Sequence, residues 1–393
     1  MRKILKWGAA VVVLGALGAV AFAWSGLFNV AASVGHLPVT AWFLHFTMQN
    51  SVRTHAYGIR PPANLDDPAL IARGAGHYHL GCATCHGAPE MSRNPIVKQM
   101  VPPPPYLVGK IESWRPRELF WIVKHGIKYA GMPSWPADDR DDEVWAVTAF
   151  LLKLPEIDAD RYSRLATGAG LSSPSEPLAA PSKGPEDLDM LPSPGLSTLA
   201  GENQSPITTC AQCHGLDGRG RDGDAFPNIS GQKAAYLRAT LEDYAAGVRH
   251  SGIMQPVAHA LTKAQIETLV EHFSAFEWQQ AAQPAGEPTG DLELGRRIAE
   301  QGKQDQSVPA CKSCHDEAGA DLRPHFPRIA GQHESFIRQQ LELFRDKKRG
   351  GRRAALMQGT AERMSDKEIA AVAAYYARLK PGAAQPSQRS EME

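Results

Sequence analysis

From Trp7 to Val52 the chain carries no Asp, Glu, Lys or Arg, and residues 7–28 are almost continuously apolar. About 18 such residues suffice to cross a bilayer as a helix. Arg2, Lys3 and Lys6 precede the run, which places the N-terminus on the inner side. An uncleaved anchor is the preferred reading. The rival is a signal peptide cut after Ala21-Phe22-Ala23, which has the small-x-small form of a cleavage site. The stretch Val39-Thr40-Ala41-Trp42-Phe43-Leu44-His45-Phe46 is aromatic-rich and ends before the first charge at Arg53. That pattern suits a segment lying in a membrane interface, or one packed on the domain that follows. Residues 1–35 are therefore assigned to an anchor or signal and 36–65 to a juxtamembrane segment.

Further on, apolar positions recur at helical spacing. Residues 141–152 open on Asp141-Asp142-Glu143, which favours a helix N-terminus, and Pro155 stops the helix. The same period marks 236–244, 263–276, 336–344 and 366–379. Phe226-Pro227-Asn228-Ile229-Ser230-Gly231-Gln232 recurs one hundred residues later as Phe326-Pro327-Arg328-Ile329-Ala330-Gly331-Gln332. A duplicated unit is the simplest account. Residues 163–204 are Ser, Pro, Gly and Ala with few aromatics, the composition of an extended, mobile linker. A shorter Ala/Pro/Gly/Gln connector falls at 279–290. The expected units are 66–162, 205–279 and 290–380, with a disordered tail at 381–393. The expected fold class is all-α, with almost no sheet.

Composition narrows the chemistry. Lys+Arg and Asp+Glu balance at 42 each, so nothing suggests a nucleic-acid partner. All six cysteines lie in three copies of Cys-x-x-Cys-His: Cys82, Cys85 and His86; Cys210, Cys213 and His214; Cys311, Cys314 and His315. Zinc binding and thiol exchange use paired cysteines but need no His directly after the second. Haem does. Two thiols three positions apart on a helical turn can each bond a vinyl group, and the following His reaches the iron. The expected cofactors are three covalently bound haems c. Attachment through this motif takes place outside the cytoplasm, in keeping with the N-terminal export signal. Units of about 80 residues are marginal on side chains alone, and here the haem would form much of each core.

Each unit resembles a class I c-type cytochrome, with an early Cys-x-x-Cys-His, a later Met and a C-terminal helix. Residues 205–379 resemble the two-domain cytochrome c4 through the repeated Phe-Pro-x-Ile-x-Gly-Gln. The first unit is similar to single-domain, membrane-anchored members with a Gly-Met-Pro ligand loop, here Gly131-Met132-Pro133. The resemblance implies three tandem class I haem domains behind a transmembrane helix, each iron held by His and Met. Met132 is the expected distal ligand in the first unit, with His125 the serious alternative; Met91 and Met100 lie too close to the motif. Met254 is expected in the second, against His250 and His259. In the third, Met357 is expected over Met364, which aligns with Leu261 and reads as core. The family also implies a Pro carbonyl holding each proximal His, at Pro105, Pro227 and Pro327. The second unit departs from the pattern. Clear helical stretches precede the other motifs at 70–80 and 294–302, but none precedes Cys210, which leaves the packing on one side of the second haem unaccounted for.

The resemblance implies an electron carrier and not an enzyme, since His/Met ligation leaves no open iron position and no Cys is spare. The expected role is a relay on the periplasmic face of a bacterial inner membrane, between a donor complex or dehydrogenase and a terminal oxidase or reductase. Redox proteins and the membrane are the expected partners, with no nucleic acid and no small-molecule substrate. The alternatives are a cytochrome subunit of a dehydrogenase complex, or a haem enzyme acting on a small inorganic substrate. The linker suggests a shuttle whose first unit and c4-like pair swing independently. The basic run at 345–353 reads as a docking patch or a solvated face.

Overall fold

In a computed structural model, the structure describes residues 2–89, 93–109, 111–168, 205–281, 288–315 and 323–381. The helices are α1 (Arg2–Trp24), α2 (Pro38–His55), α3 (Pro68–Gly81), α4 (Ala83–His86), α5 (Pro95–Lys98), α6 (Pro116–His125), α7 (Asp141–Lys153) and α8 (Ala159–Thr167), then α9 (Pro206–His214), α10 (Ala234–Ala245), α11 (Met254–His259), α12 (Lys263–Ser274), α13 (Leu292–Gln301), α14 (Lys312–His315), α15 (Glu334–Arg345), α16 (Ala354–Ala361) and α17 (Asp366–Arg378). Among the described residues there is no strand, only isolated bridges pairing Ile127 with Met132 and Lys303 with Val308.

Local chemistry sets the helix starts. Pro at the first turn opens α2, α3, α5, α6 and α9, where its missing N–H costs nothing. The duplicated units start their last helices alike. Thr262 caps α12 in a box with Gln265, and Ser365 caps α17 in a box with Glu368. By length and composition, α1 could cross a membrane. The aromatic half of α2 is exposed, with Trp42 stacked on Phe46 at 5.6 Å, while Val52 near its C-terminus is fully buried.

The helices gather around three main apolar clusters, with a smaller fourth between the first two units. The first holds Tyr78, Val144, Phe150 and Leu154, the second Leu237, Leu269 and Phe273, the third Ile298, Phe344 and Ile369. In the first and third units the helix before the motif crosses the last long helix at backbone contact. A Cβ on Gly74 would fall 2.0 Å from Ala146 O, and one on Gly295 would fall 2.1 Å from Ala371 O. Only glycine permits either crossing.

Among the described residues the second unit has no counterpart: α9 starts at Pro206, just before its motif. The first unit supplies the cover instead. Ala72 of α3 and Leu165 of α8 pack with Ala225, Phe226 and Cys213. Arg73 Nε donates to Ala225 O at 3.1 Å. Arg221 closes the C-terminus of α8, donating to Leu165 O at 2.9 Å and Ala166 O at 3.1 Å.

These contacts correct two expectations. Residues 163–167 belong to α8, not to the linker; of the remainder, 169–204 lie outside the described residues, as do 282–287 of the connector, 382–393 of the tail, and Met91. The first unit is packed against the second, which is incompatible with two bodies that swing freely. The basic run is likewise neither patch nor solvated face as a whole. Arg349 donates to Tyr236 Oη at 3.2 Å, Arg352 pairs with Asp243 at 3.2 Å, and Lys347 pairs with Glu362 at 3.4 Å. Arg349 and Arg352 thereby join the second unit to the third.

The repeated motif makes the main join between those units. Gln232 Oε1 accepts from Arg328 N at 2.9 Å and its Nε2 donates to Arg328 O at 3.0 Å. Reciprocally, Gln332 Oε1 accepts from Asn228 N at 3.0 Å and its Nε2 donates to Asn228 O at 2.7 Å. Each glutamine therefore completes the backbone of the other repeat, as across a local two-fold axis.

Candidate haem sites

Each Cys-x-x-Cys-His occupies one helical turn. His86 N donates to Cys82 O at 2.9 Å and His315 N to Cys311 O at 3.0 Å, while Cys210 to His214 lie within α9. All six thiols are free. Burial pushes the Cys82 and Cys210 thiols up to about 12 and those of Cys213 and Cys311 up to about 11. They stay protonated at neutral pH, unlike the thiolates of zinc sites or exchange catalysts.

The proximal histidines share one environment. Nδ1 of His86 lies 3.0 Å from Pro105 O, Nδ1 of His214 lies 3.1 Å from Pro227 O, and Nδ1 of His315 lies 3.0 Å from Pro327 O. A carbonyl only accepts, so Nδ1–H donates and Nε2 keeps its lone pair for a metal. Burial lowers all three histidine pKa values, which favours the neutral ring a ligand requires. Phe226 and Phe326 stand edge-on to His214 and His315 at 6.4 and 6.2 Å.

The methionines singled out above fall in three different settings. Met132 lies on a tight turn, its carbonyl accepting from Ile127 N at 3.1 Å. Met254 is the first residue of α11, and Met357 lies inside α16. All three are half-buried. Met364 is 4% exposed within the core of the third unit, whereas Met357 borders that core. Met100, which sequence distance had set aside, places its methyl 2.4 Å from where a Cβ on Gly131 would sit, beside Met132. The competing histidines have other partners. His125 packs on Trp121 at 5.1 Å, His250 bonds Asp139 at 3.0 Å, and His259 approaches Ala245 O at 3.3 Å.

One cluster escaped the sequence reading. Glu143, read only as an acid in the first turn of α7, is 4% exposed and faces the second unit. Its Oε1 accepts from Ser251 Oγ at 2.7 Å, and its Oε2 from Gly252 N at 2.6 Å and Trp135 Nε1 at 3.2 Å. Arg140 donates to His250 O at 2.8 Å, and Asp142 accepts from Gln339 of the third unit at 2.8 Å. No periodicity signals the partners in the other two units, which lie about a hundred or more positions away.

Free paired thiols, a neutral imidazole held through Nδ1 and a helical turn that aligns them fit haem c at all three motifs. The molecule is thus a helical haem-attachment protein, its sites in tandem. Residues 69–151 match the family described as cytochrome c oxidase, cbb3-type, subunit III, and residues 200–276 and 293–380 each match cytochrome c. The chain belongs to the cytochrome c family. Curated relatives include the thiosulfate dehydrogenase electron acceptor of Stutzerimonas stutzeri, 34% identical over 182 residues, which is 46% of this chain and 83% of the relative. Cytochrome c4 of Thiocapsa roseopersicina is 33% identical over 171 residues, covering 42% of this chain and 84% of the relative. Among solved structures, thiosulfate dehydrogenase of Marichromatium purpuratum aligns at 33% identity and a TM-score of 0.40, over 46% of this chain and 39% of that one. The likeness to cytochrome c4 expected for the C-terminal half is borne out.

Proposed function

We propose that this protein is a membrane-anchored triheme electron relay. The observation that carries the reading is the repetition of one donor set in three contiguous units. Cys82 with Cys85, Cys210 with Cys213 and Cys311 with Cys314 would hold the haems as thioethers, with His86, His214 and His315 as proximal ligands. Met132, Met254 and Met357 would complete the coordination; the burial of Met364 in the core supports Met357 in the third unit. When bound, haem c supplies one-electron Fe(III)/Fe(II) exchange, and His/Met ligation sets its potential above that of a bis-His site. The protein's part is to hold each imidazole neutral and oriented, to exclude water with the helical cores, and to keep the haems in one rigid body.

The anchor α1 would place the haem units on the periplasmic side of the inner membrane. The match of the first unit to an oxidase subunit family, and the kinship of the others to an electron acceptor of thiosulfate dehydrogenase, support a direction of flow. Electrons would enter from a periplasmic dehydrogenase at the second and third units and leave from the first towards a terminal oxidase or reductase. Stopped-flow reduction tests this. Thiosulfate should reduce the purified protein only when a thiosulfate dehydrogenase is added, and the reduced protein should bind carbon monoxide poorly. Thiosulfate oxidation by the protein alone, or fast carbon monoxide binding at one haem, would move the reading to catalysis.

A further inference from the structure

The first two haem sites meet on their distal sides. Trp135 follows Met132 by three residues, and Gly252 precedes Met254 by two. A Cβ on Gly252 would fall 2.2 Å from Trp135 Nε1, so the two methionine segments touch at a position that admits only glycine. Ile253 continues the contact, packing on the core of the first unit. Between them lies Glu143, whose Oε2 binds the indole N–H of one segment and the Gly252 N–H of the other.

The connection reaches the ligand backbone. Ser251 Oγ gives its proton to Glu143 Oε1 and, so oriented, accepts from Met254 N at 3.0 Å and Ile253 N at 3.3 Å. Arg140 fills the remaining site on Oε1 at 2.9 Å. Four donors thus converge on one carboxylate. Ser251 is 3% exposed and Trp135 8%, so water does not compete. Only an acceptor with two oxygens satisfies this set. An amide would turn an NH2 group towards donors, and Ser251 would lose the acceptor that orients it.

We propose that Glu143 is a positioning residue that joins the distal-ligand segments of the first two haems, making the ligation of the second haem depend on the first unit. This rests on the assignment of Met132 and Met254 as ligands. The residue lies in the segment matched to the oxidase subunit family, outside the cytochrome c matches that cover Met254. A c4-like pair without the first unit would lack the brace.

Fully matured holoprotein provides the test, in a Met357→Ala background so that the sulfur-to-iron charge-transfer absorbance reports on the first two haems alone. Glu143→Gln keeps side-chain volume, and Ser251→Ala removes the relay hydroxyl without substituting any residue of the first unit. Both should retain three haems, lose up to about half of the remaining absorbance, and lower the potential of the second haem. Met254→Ala in the same background should remove that half outright. If it does, while Glu143→Gln and Ser251→Ala leave absorbance and potentials unchanged, the brace is refuted and the ligand assignment stands. A lower melting temperature with unaltered potentials would also refute it, since Glu143 would then only hold units together. If Met254→Ala leaves the absorbance intact, the ligand assignment fails first and the proposal falls with it.

Discussion

Gln332→Ala cuts one half of the reciprocal clasp between the second and third units, and its cost can be worked from the contacts. The amide side chain holds both the N–H and the C=O of Asn228, at 3.0 and 2.7 Å, and Asn228 is 2% exposed. Truncation strands two buried backbone groups at about 1–3 kcal/mol each, a total of about 2–6 kcal/mol. The mirror substitution Gln232→Ala makes an internal control. It frees the same two groups of Arg328, but that residue is half-buried and water can replace the lost bonds. There the loss should be only the net worth of two hydrogen bonds, about 1–3 kcal/mol. Guanidinium denaturation of the holoprotein, followed by haem absorbance, gives both values from the midpoints and slopes. Equal losses in the two variants, or a loss below about 1 kcal/mol for Gln332→Ala, would refute the argument that burial of the partner sets the cost.

Met364→Ala should cost about 2–5 kcal/mol from core truncation yet leave the charge-transfer absorbance whole, whereas Met357→Ala should remove about one third of it at little cost in stability; the reverse pattern would exchange their roles. Gly295→Val should weaken the third unit by about 1–3 kcal/mol or more, because its Cβ alone meets Ala371 O; an unchanged thermal melt would show that α13 and α17 do not cross so closely. Replacing residues 1–37 with a cleavable signal peptide should release the haem protein into the soluble periplasmic fraction, and N-terminal sequencing of the full-length product should begin ahead of Trp24; a mature start near Trp24 would show cleavage.

Helices and haem-attachment motifs were legible because their signals are local. Caps such as Thr262 and Ser365, the apolar period of α7 and α17, and each Cys-x-x-Cys-His act within one or two turns. The prolines facing His86, His214 and His315 were reached only through family likeness, and the structure has all three carbonyls at 3.0–3.1 Å. The assembly of the units was not legible. Arg221 carries no signal in the sequence, yet it closes a helix of the preceding unit. Glu143 fitted a local rule, acid in a first helical turn, so nothing prompted a search for partners beyond it. Arg349 and Arg352 stood in a run whose charge suggested solvent, although surface shape directs them to Tyr236 and Asp243. Partners so far apart in sequence are chosen by packing, which leaves no period to read.

The clasp formed by Gln232 and Gln332 has a consequence for how such a chain can grow. Each repeat offers the same edge to the other, so the pairing is isologous and closes on itself. Once two repeats have met, neither retains that edge for a third. Further duplication of the c4-like unit would therefore yield separate pairs strung along the chain, never a continuous stack. A third haem can join the body only by a dissimilar face, and the first unit does so with the start of α7 and the flanks of α3 and α8. Two is the ceiling of the repeat, and three is reached by heterology.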